Sequence, residues 1–583
     1  MKAGNALLLR FYGLCLTLTC FGHGKRVQHP EPQPVDCLYS SWSAWTLCDP
    51  CTNERQRSRG IEEFGQFRGQ PCRESLSESA ECITEVTCAP TATTGCPAAH
   101  FQCGSGACIK QRLVCNHDFD CEDQIDEDAC DRMSRKPCST RTEETPGDGW
   151  RAAMGQGINI LGSTPPKTVF YNGYFGGVCQ IASGIRLPWN VAGFNLETHS
   201  VKKVTSDIYE SSHQLVLELL SGTAYHGGLS IRSNPLLETS SRNETLALES
   251  KKFVRFDGKL QWATYRLRPR DLRVADGFTK DVKSLPVEYD KGSYFNFIED
   301  YGTHYTRSGK LGGEYNLIYV LNVNEIMQRN LTDAALLECL KDFGFNLGVG
   351  ATGNAKTSSC NFFNKVEGNA VVVKVLISVK GGDPEIVSAM KARISRDGQM
   401  SAETYQNWAR SIANHPSLLY SEREPIYNVF PLGLPEANTK ISNMKAALAD
   451  YVAEYSMCKC RPCHNNGTLV LIDGLCSCFC ILGYEGLACQ NHEADKKPRK
   501  EPRPSVPRPS VRPPSVQRPS VPCPSVRPPN VPSPTVLHEA NWACWSGWST
   551  CSGGERSRSR ACNVEGLPPG GVCSGPDAET DWC

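Results

Sequence analysis

The chain lacks any long apolar run. Even Ala370–Val379 is broken by Lys374, so a bilayer-spanning helix is not expected, and any membrane crossing must use strands. It also lacks net charge. Lys plus Arg and Asp plus Glu both total 62, which removes any general electrostatic case for nucleic acid or for anionic membranes. No His-Glu-x-x-His, Gly-x-Ser-x-Gly or phosphate-cradling glycine loop occurs, so nothing signals an enzyme. Cysteine is scarce in one place only: of 31, just Cys339 and Cys360 fall within residues 180–457. That distribution implies a large domain with its own hydrophobic core, flanked by small disulfide-stapled modules in an oxidising, secreted setting. A length of 583 residues allows about three to five domains.

Residues 1–22 carry Lys2 and the apolar runs Leu7–Leu9 and Leu14–Phe21, the pattern of a secretory signal. Setting aside Cys15 and Cys20 leaves an odd number of cysteines, so one thiol has no partner within the chain. Cys523 is the candidate.

Residues 36–89 hold Trp42-Ser-Ala-Trp45, six cysteines, and Arg55, Arg57 and Arg59 at strand spacing, so three guanidinium groups can sandwich the indoles of a module with little core. Residues 541–583 repeat the arrangement with Trp542, Trp545 and Trp548 and with Arg556, Arg558 and Arg560. Both resemble thrombospondin type 1 repeats. The resemblance implies C-mannosylation at Trp42, Trp542 and Trp545; tryptophans used only for packing are the alternative.

Residues 95–131 contain Cys96, Cys103, Cys108, Cys115, Cys121 and Cys130, with an acidic second half. So few apolar residues cannot fold such a module alone, and its repelling carboxylates need a cation; oxygen ligands point to Ca2+. The spacing resembles a low-density-lipoprotein-receptor class A repeat. That resemblance implies calcium ligation by the side chains of Asn116, Asp120, Asp126 and Glu127 and by the backbone carbonyls of Leu113 and Asp118, with all six cysteines in disulfides.

From 134 to 457 strands alternate with amphipathic helices, and Cys138 with Cys179 and Cys339 with Cys360 are the natural pairs by proximity. Two segments alternate with period two. In the first, Val254, Phe256, Gly258, Leu260 and Trp262 share a face; in the second, Phe343, Phe345, Leu347, Val349 and Ala351 do. Each could be a membrane strand or an ordinary sheet strand, which periodicity alone does not separate. Between them a helical turn carrying Tyr294, Phe297 and Tyr301 on one face runs through Tyr301-Gly302-Thr303-His304-Tyr305 to Gly312-Gly313, a bend before the strand Tyr315–Leu321. His304 has no catalytic neighbours in sequence and reads as a structural histidine.

Residues 458–490 combine Cys460-x2-Cys463 with Cys476-x-Cys478-x-Cys480 and Cys489. Zinc would be the reading in a cytosolic protein; secretion overturns it. With Gly483-Tyr484-Glu485-Gly486 they resemble an EGF-like module, which implies the pairs Cys460–Cys476, Cys463–Cys478 and Cys480–Cys489. Cys458 is left over, the last module is one cysteine short of six, and a Cys458–Cys544 bridge is expected. Residues 491–540 form a linker whose stretch 502–536 carries a Pro-Ser-Val repeat every five residues, a semi-rigid polyproline spacer of roughly 110 Å if fully extended. Sequons at Asn243 and Asn330 are candidate N-glycosylation sites.

Tyr294 with the run Tyr301–Tyr305 resembles the signature of the membrane attack complex/perforin (MACPF) family, and the order of modules is similar to that of the terminal complement components. The resemblance implies a multidomain protein around an α+β MACPF domain: a bent antiparallel sheet with two helical clusters able to refold into membrane hairpins. It places these at 205–285 and 323–378, marks Gly312, Gly313, Gly381 and Gly382 as bend glycines, and turns Val254, Phe256, Leu260, Trp262, Phe343, Phe345, Leu347 and Val349 toward lipid. The implied protein is secreted and soluble as a monomer. Its implied partners are the earlier terminal complement components, five b to eight, further copies of itself in a ring, and a target lipid bilayer. A secreted adhesion or scaffold protein is the competing reading.

Overall fold

The computed structural model describes residues 31–88, 95–128, 130, 149–204, 208–222, 251–345, 371–398 and 400–492, and of the C-terminal part 541–542, 544, 549, 555–563 and 576–582. Its centre is an antiparallel sheet built from β1 (Val191–Val204), β2 (Lys251–Leu267), β3 (His304–Asn322), β4 (Val372–Lys380) and β5 (Ser417–Pro425). The order is β1-β2-β3, and the far edge of β3 is shared: residues 304–312 pair with β5 and residues 314–321 with β4.

Three of the sheet's register shifts fall on one transverse line. Register shifts fall between Leu196 and His199 of β1, between Gln261 and Ala263 of β2, and between Lys310 and Leu311 of β3. Because Gln261 pairs with both His199 and Gly312, these bulges lie side by side, and bulges bend a strand and increase its twist. The glycines sit where the change of partner leaves no room for side chains. A methyl group on Gly313 would meet the Trp408 ring at 2.6 Å, and one on Gly381 would meet the carbonyl of Gly312 at 2.5 Å. Gly381 and Gly382 also adopt φ of 71° and 92°, which disfavours any other residue. Trp408 closes the cluster by donating its indole N–H to the Gly381 carbonyl at 2.8 Å.

The helices of the large domain include α1 (Ser212–Gly222), α2 (Asp276–Ser284), α3 (Lys291–Tyr301), α4 (Asp333–Phe345), α5 (Pro384–Asp397), α6 (Ala402–Ser411) and α7 (Ala437–Glu454). Helices α2, α3 and α7 pack around Phe278, Tyr294, Phe297, Tyr301 and Tyr451 in the largest core. Helices α4, α5 and α6 cover one face of the sheet around Val254, Phe256, Leu317 and Tyr319. Helix α1 covers the opposite face.

The small modules are stapled and docked. Cys37–Cys72, Cys48–Cys82 and Cys51–Cys88 close the first. Its indoles are interleaved with guanidinium groups: Arg57 lies 4.7 Å from Trp42 and 4.5 Å from Trp45, and Arg59 lies 4.4 Å from Trp42. Cys96–Cys108, Cys103–Cys121 and Cys115–Cys130 close the acidic module. Cys460–Cys476, Cys463–Cys478 and Cys480–Cys489 close the module after the large domain, and Cys458 reaches Cys544. Cys179 and Cys339 are also disulfide-bonded; Cys138 and Cys360 lie outside the described residues, as do Cys523 and the proline repeat.

One half-buried carboxylate joins three parts of the chain. Glu454 of α7 accepts from the Ile61 amide at 2.9 Å and from Lys291 and Lys459 at 2.5 Å each. Burial alone would raise its pKa, but these donors together hold it below the ordinary range.

Candidate functional site

The motif is architectural. Asp290 caps α3 by accepting from the Ser293 amide, and Gly302 ends it at φ 92°, its amide returning to Ile298 at 2.8 Å. That turn presses the chain against residues 157–158, where a methyl group on Gly302 would meet the Ile158 backbone at 2.7 Å. Tyr294 donates to the Pro286 carbonyl at 2.9 Å, Tyr301 to Asp281 at 2.8 Å and Tyr305 to Glu424 at 2.5 Å. Thr303, fully buried, donates to Ile158 and accepts from the Ile160 amide. His304 Nδ1 lies 2.9 Å from the Thr303 hydroxyl. The signature thus anchors the start of β3, and every hydroxyl in it has a backbone or carboxylate partner.

At the other end of β3 the sheet carries two helix-bearing connections. β1 leads through α1 to β2, and β3 leads through α4 to β4. They lie on opposite faces of one strand pair. Leu215, Val216 and Leu219 of α1 pack on Phe253, Ile318, Val320 and Leu376; Leu336, Cys339 and Leu340 of α4 pack on Val254, Phe256 and Tyr319. Each apolar side chain so buried contributes roughly 1.5–3 kcal/mol. Lys252, at the start of β2, ties both connections down by pairing with Glu210 at 2.9 Å and Asp333 at 3.1 Å.

Helix α1 has a second neighbour. Val470, Ile472 and Phe479 of the small module after the large domain join the same apolar cluster, and His213 Nε2 lies 2.8 Å from the Thr468 hydroxyl. The helix is therefore sandwiched between the sheet and that module. Burial lowers the His213 pKa, because the charged ring loses water there. A histidine whose folded pKa is depressed contributes stability that is present above the ordinary value near 6.5 and is lost as pH falls through the lowered one. Amide exchange of residues 212–222, corrected for intrinsic rates, is expected to speed up severalfold between pH 7.4 and pH 5.5, and His213→Gln is expected to flatten that dependence.

Two expectations for the hairpins need correction in this folded state. Residues 254–262 are not part of a helical cluster awaiting refolding: they form the middle of β2, with β1 along one edge and β3 along the other. Val254 and Phe256 are fully buried in the core under α4, Leu260 is half-buried, and Trp262 is the extra residue of the β2 bulge. Phe343 and Phe345 end helix α4 instead of starting a strand. The alternation continues on paper, but Leu336, Cys339 and Leu340 give the preceding turns a helical apolar stripe. Leu347, Val349 and Ala351 lie outside the described residues.

The expected calcium ligands share one loop, Leu113 to Glu127. Asp120 and Asp126 are buried, and burial pushes Asp120 up to about 6 and raises Asp126 as well. Their oxygens meet amides: Asp126 accepts from Asp120 N at 2.8 Å, Glu127 from Asn116 N at 2.6 Å, and Asp120 from the Asn116 side chain at 2.9 Å. An all-oxygen, carboxylate-rich set with Asp120 and Asp126 buried at its centre fits a hard divalent cation. The nearby group Cys103, Cys121 and Asp123 offers no thiolate, since its cysteines are bonded to each other.

The structure also shows participants that spacing along the chain does not reveal. Lys252, His213, Glu454 and the glycine-packing Trp408 act through partners far away in sequence. Asn330 is exposed in the turn before α4, and Trp42 lies between two arginines; Asn243 and Trp545 lie outside the described residues. No helix among the described residues is long and apolar enough to cross a membrane.

Residues 150–461 match the family model of the MAC/Perforin domain, and residues 94–130 match that of the low-density lipoprotein receptor domain class A. The chain is 41% identical to complement component C9 of Oncorhynchus mykiss over 94% of its own length and 97% of that protein. It is 28% identical to the complement component C8 beta chain of Rattus norvegicus, covering 95% of this chain and 90% of that one. Against the C8 alpha chain of Oryctolagus cuniculus identity is 29%, with coverage of 95% and 94%. With a family model over more than half its length and a relative at 41% identity end to end, the chain belongs to the MAC/perforin family.

Proposed function

We propose that this chain is the pore-forming subunit of a complement membrane attack complex, in the position of component C9. It joins the nascent complex of the earlier components, five b to eight, on a target membrane and polymerises with its own kind. It then refolds the connections 205–250 and 323–371 into amphipathic hairpins of a transmembrane barrel. The observation that carries this reading is the placement of those two connections: both leave the same end of one sheet, as continuations of strands already paired. Each also exceeds the roughly 20 residues that two membrane strands need.

Physics then requires assembly. Backbone amides in lipid must be paired, and two hairpins from one chain would leave open edges at a cost of several kcal/mol per unpaired group. Only a closed ring of copies removes those edges, so a lone chain is inert toward membranes. The class A module holds Ca2+ through Asn116, Asp120, Asp126, Glu127 and the carbonyls of Leu113 and Asp118, and the ion offsets the repulsion of its carboxylates. Glycans at Asn243 and Asn330 and C-mannosyl groups at Trp42, Trp542 and Trp545 belong to the same reading.

Dye release from liposomes tests it. Release is expected only when all the earlier terminal components are present. A chain that binds the membrane-bound complex without releasing dye acts as a scaffold, and one needed for the binding of a further lytic subunit takes the place of a C8 chain.

A further inference from the structure

The loop that carries the calcium ligands has a second face, and that face is seated on the large domain. Three of its consecutive positions are held from outside. Arg186 makes a two-pronged pair with Asp118, Nη1 to Oδ1 at 2.5 Å and Nη2 to Oδ2 at 2.8 Å. The Tyr171 hydroxyl donates to the Phe119 carbonyl at 2.7 Å, and the Gly176 amide donates to Asp120 Oδ1 at 3.0 Å. Asp118 and Arg186 have only 5% and 13% of their side chains exposed. Arg186 is itself fixed, stacked 4.2 Å from the Phe175 ring and donating to the Val178 carbonyl at 3.0 Å.

We propose that calcium binding and docking of the class A module on residues 171–189 are one linked equilibrium, with Arg186 as a positioning residue for a metal it does not touch. This rests on the reading of the class A module as a calcium site. Asp118 is expected to give its carbonyl to the ion, and its carboxylate holds Arg186. Asp120 is expected to give one oxygen to the ion, and its other face receives the Gly176 amide. A cation that orders residues 113–127 therefore orders the seat, and without it Arg186 is a largely desolvated charge whose partner is no longer held in place. Linkage is reciprocal: if calcium favours the docked form, docking must raise calcium affinity by the same factor.

The sign separates this from plain electrostatics. Arg186 is a positive charge close to a cation site, so by Coulomb's law its removal should tighten calcium binding. The linkage demands the opposite. Arg186→Met in the full chain is expected to weaken calcium binding about tenfold, within the usual range of coupling between sites, read by competition with a fluorescent chelator. Amide exchange of the unsubstituted protein supplies a second reading that needs no variant: chelation should speed exchange both in residues 113–128 and in residues 171–189. If 113–128 responds while 171–189 does not, or if Arg186→Met tightens binding, the linkage is wrong and the calcium site stands. If neither segment responds to calcium, the site itself is wrong and the linkage falls with it.

Discussion

Phe256→Arg is expected to prevent accumulation of folded protein altogether. Phe256 is fully buried at the centre of β2, with Tyr319 edge-on at 5.3 Å and the α4 residues Leu336 and Leu340 in the same cluster. A guanidinium there loses its water and finds no carboxylate among those apolar neighbours, on top of the lost aromatic packing. Such substitutions cost about 4 kcal/mol or more, against a total stability of about 5–15 kcal/mol for a domain. Lys259→Gln, three residues along on an exposed position, is expected to change stability by less than about 0.5 kcal/mol. Secretion yield and thermal unfolding check both, and Phe256→Arg protein with an unchanged melting temperature would contradict the packing described. A loss of lysis in that variant therefore reports folding, not contact with lipid.

The same residue shows where sequence reasoning stops. Alternation from Val254 to Leu260 correctly indicates a two-faced strand, but a strand buried under helices and a strand facing lipid have the same period. The medium is set by what packs above it, here α4, whose residues lie some eighty positions away. Local signals were more informative. The Trp–Arg interleaving and the tyrosine-bearing helix before β3 depend on neighbours a few residues apart, and both are found where the spacing places them. The line of bulges needed the register to be seen, since the bulge at Trp262 has no mark in composition. Pairs such as Asp118 with Arg186 or Ile61 with Glu454 join distant segments, and no single sequence announces them.

Lys252 and the α1 sandwich give the proposed refolding a definite obstacle. For the connection 205–250 to extend β1 and β2, α1 must leave both the sheet and the module that covers it, breaking the Lys252 pairs and exposing Leu215, Val216 and Leu219. Those side chains favour the helix in the soluble chain by several kcal/mol, and only the paired, lipid-embedded strand can offset that. Tethering the helix should therefore abolish pore formation without touching the membrane-contacting chemistry.

The decisive measurement is dye release by a chain carrying His213→Cys and Thr468→Cys joined by a photocleavable bis-maleimide, positions whose side chains now meet at 2.8 Å. On liposomes bearing the earlier terminal components, the tethered chain should bind and release no dye, and illumination should restore release to the level of the uncoupled double variant. Full release with the tether intact would contradict the proposed refolding, because α1 would then not have to move.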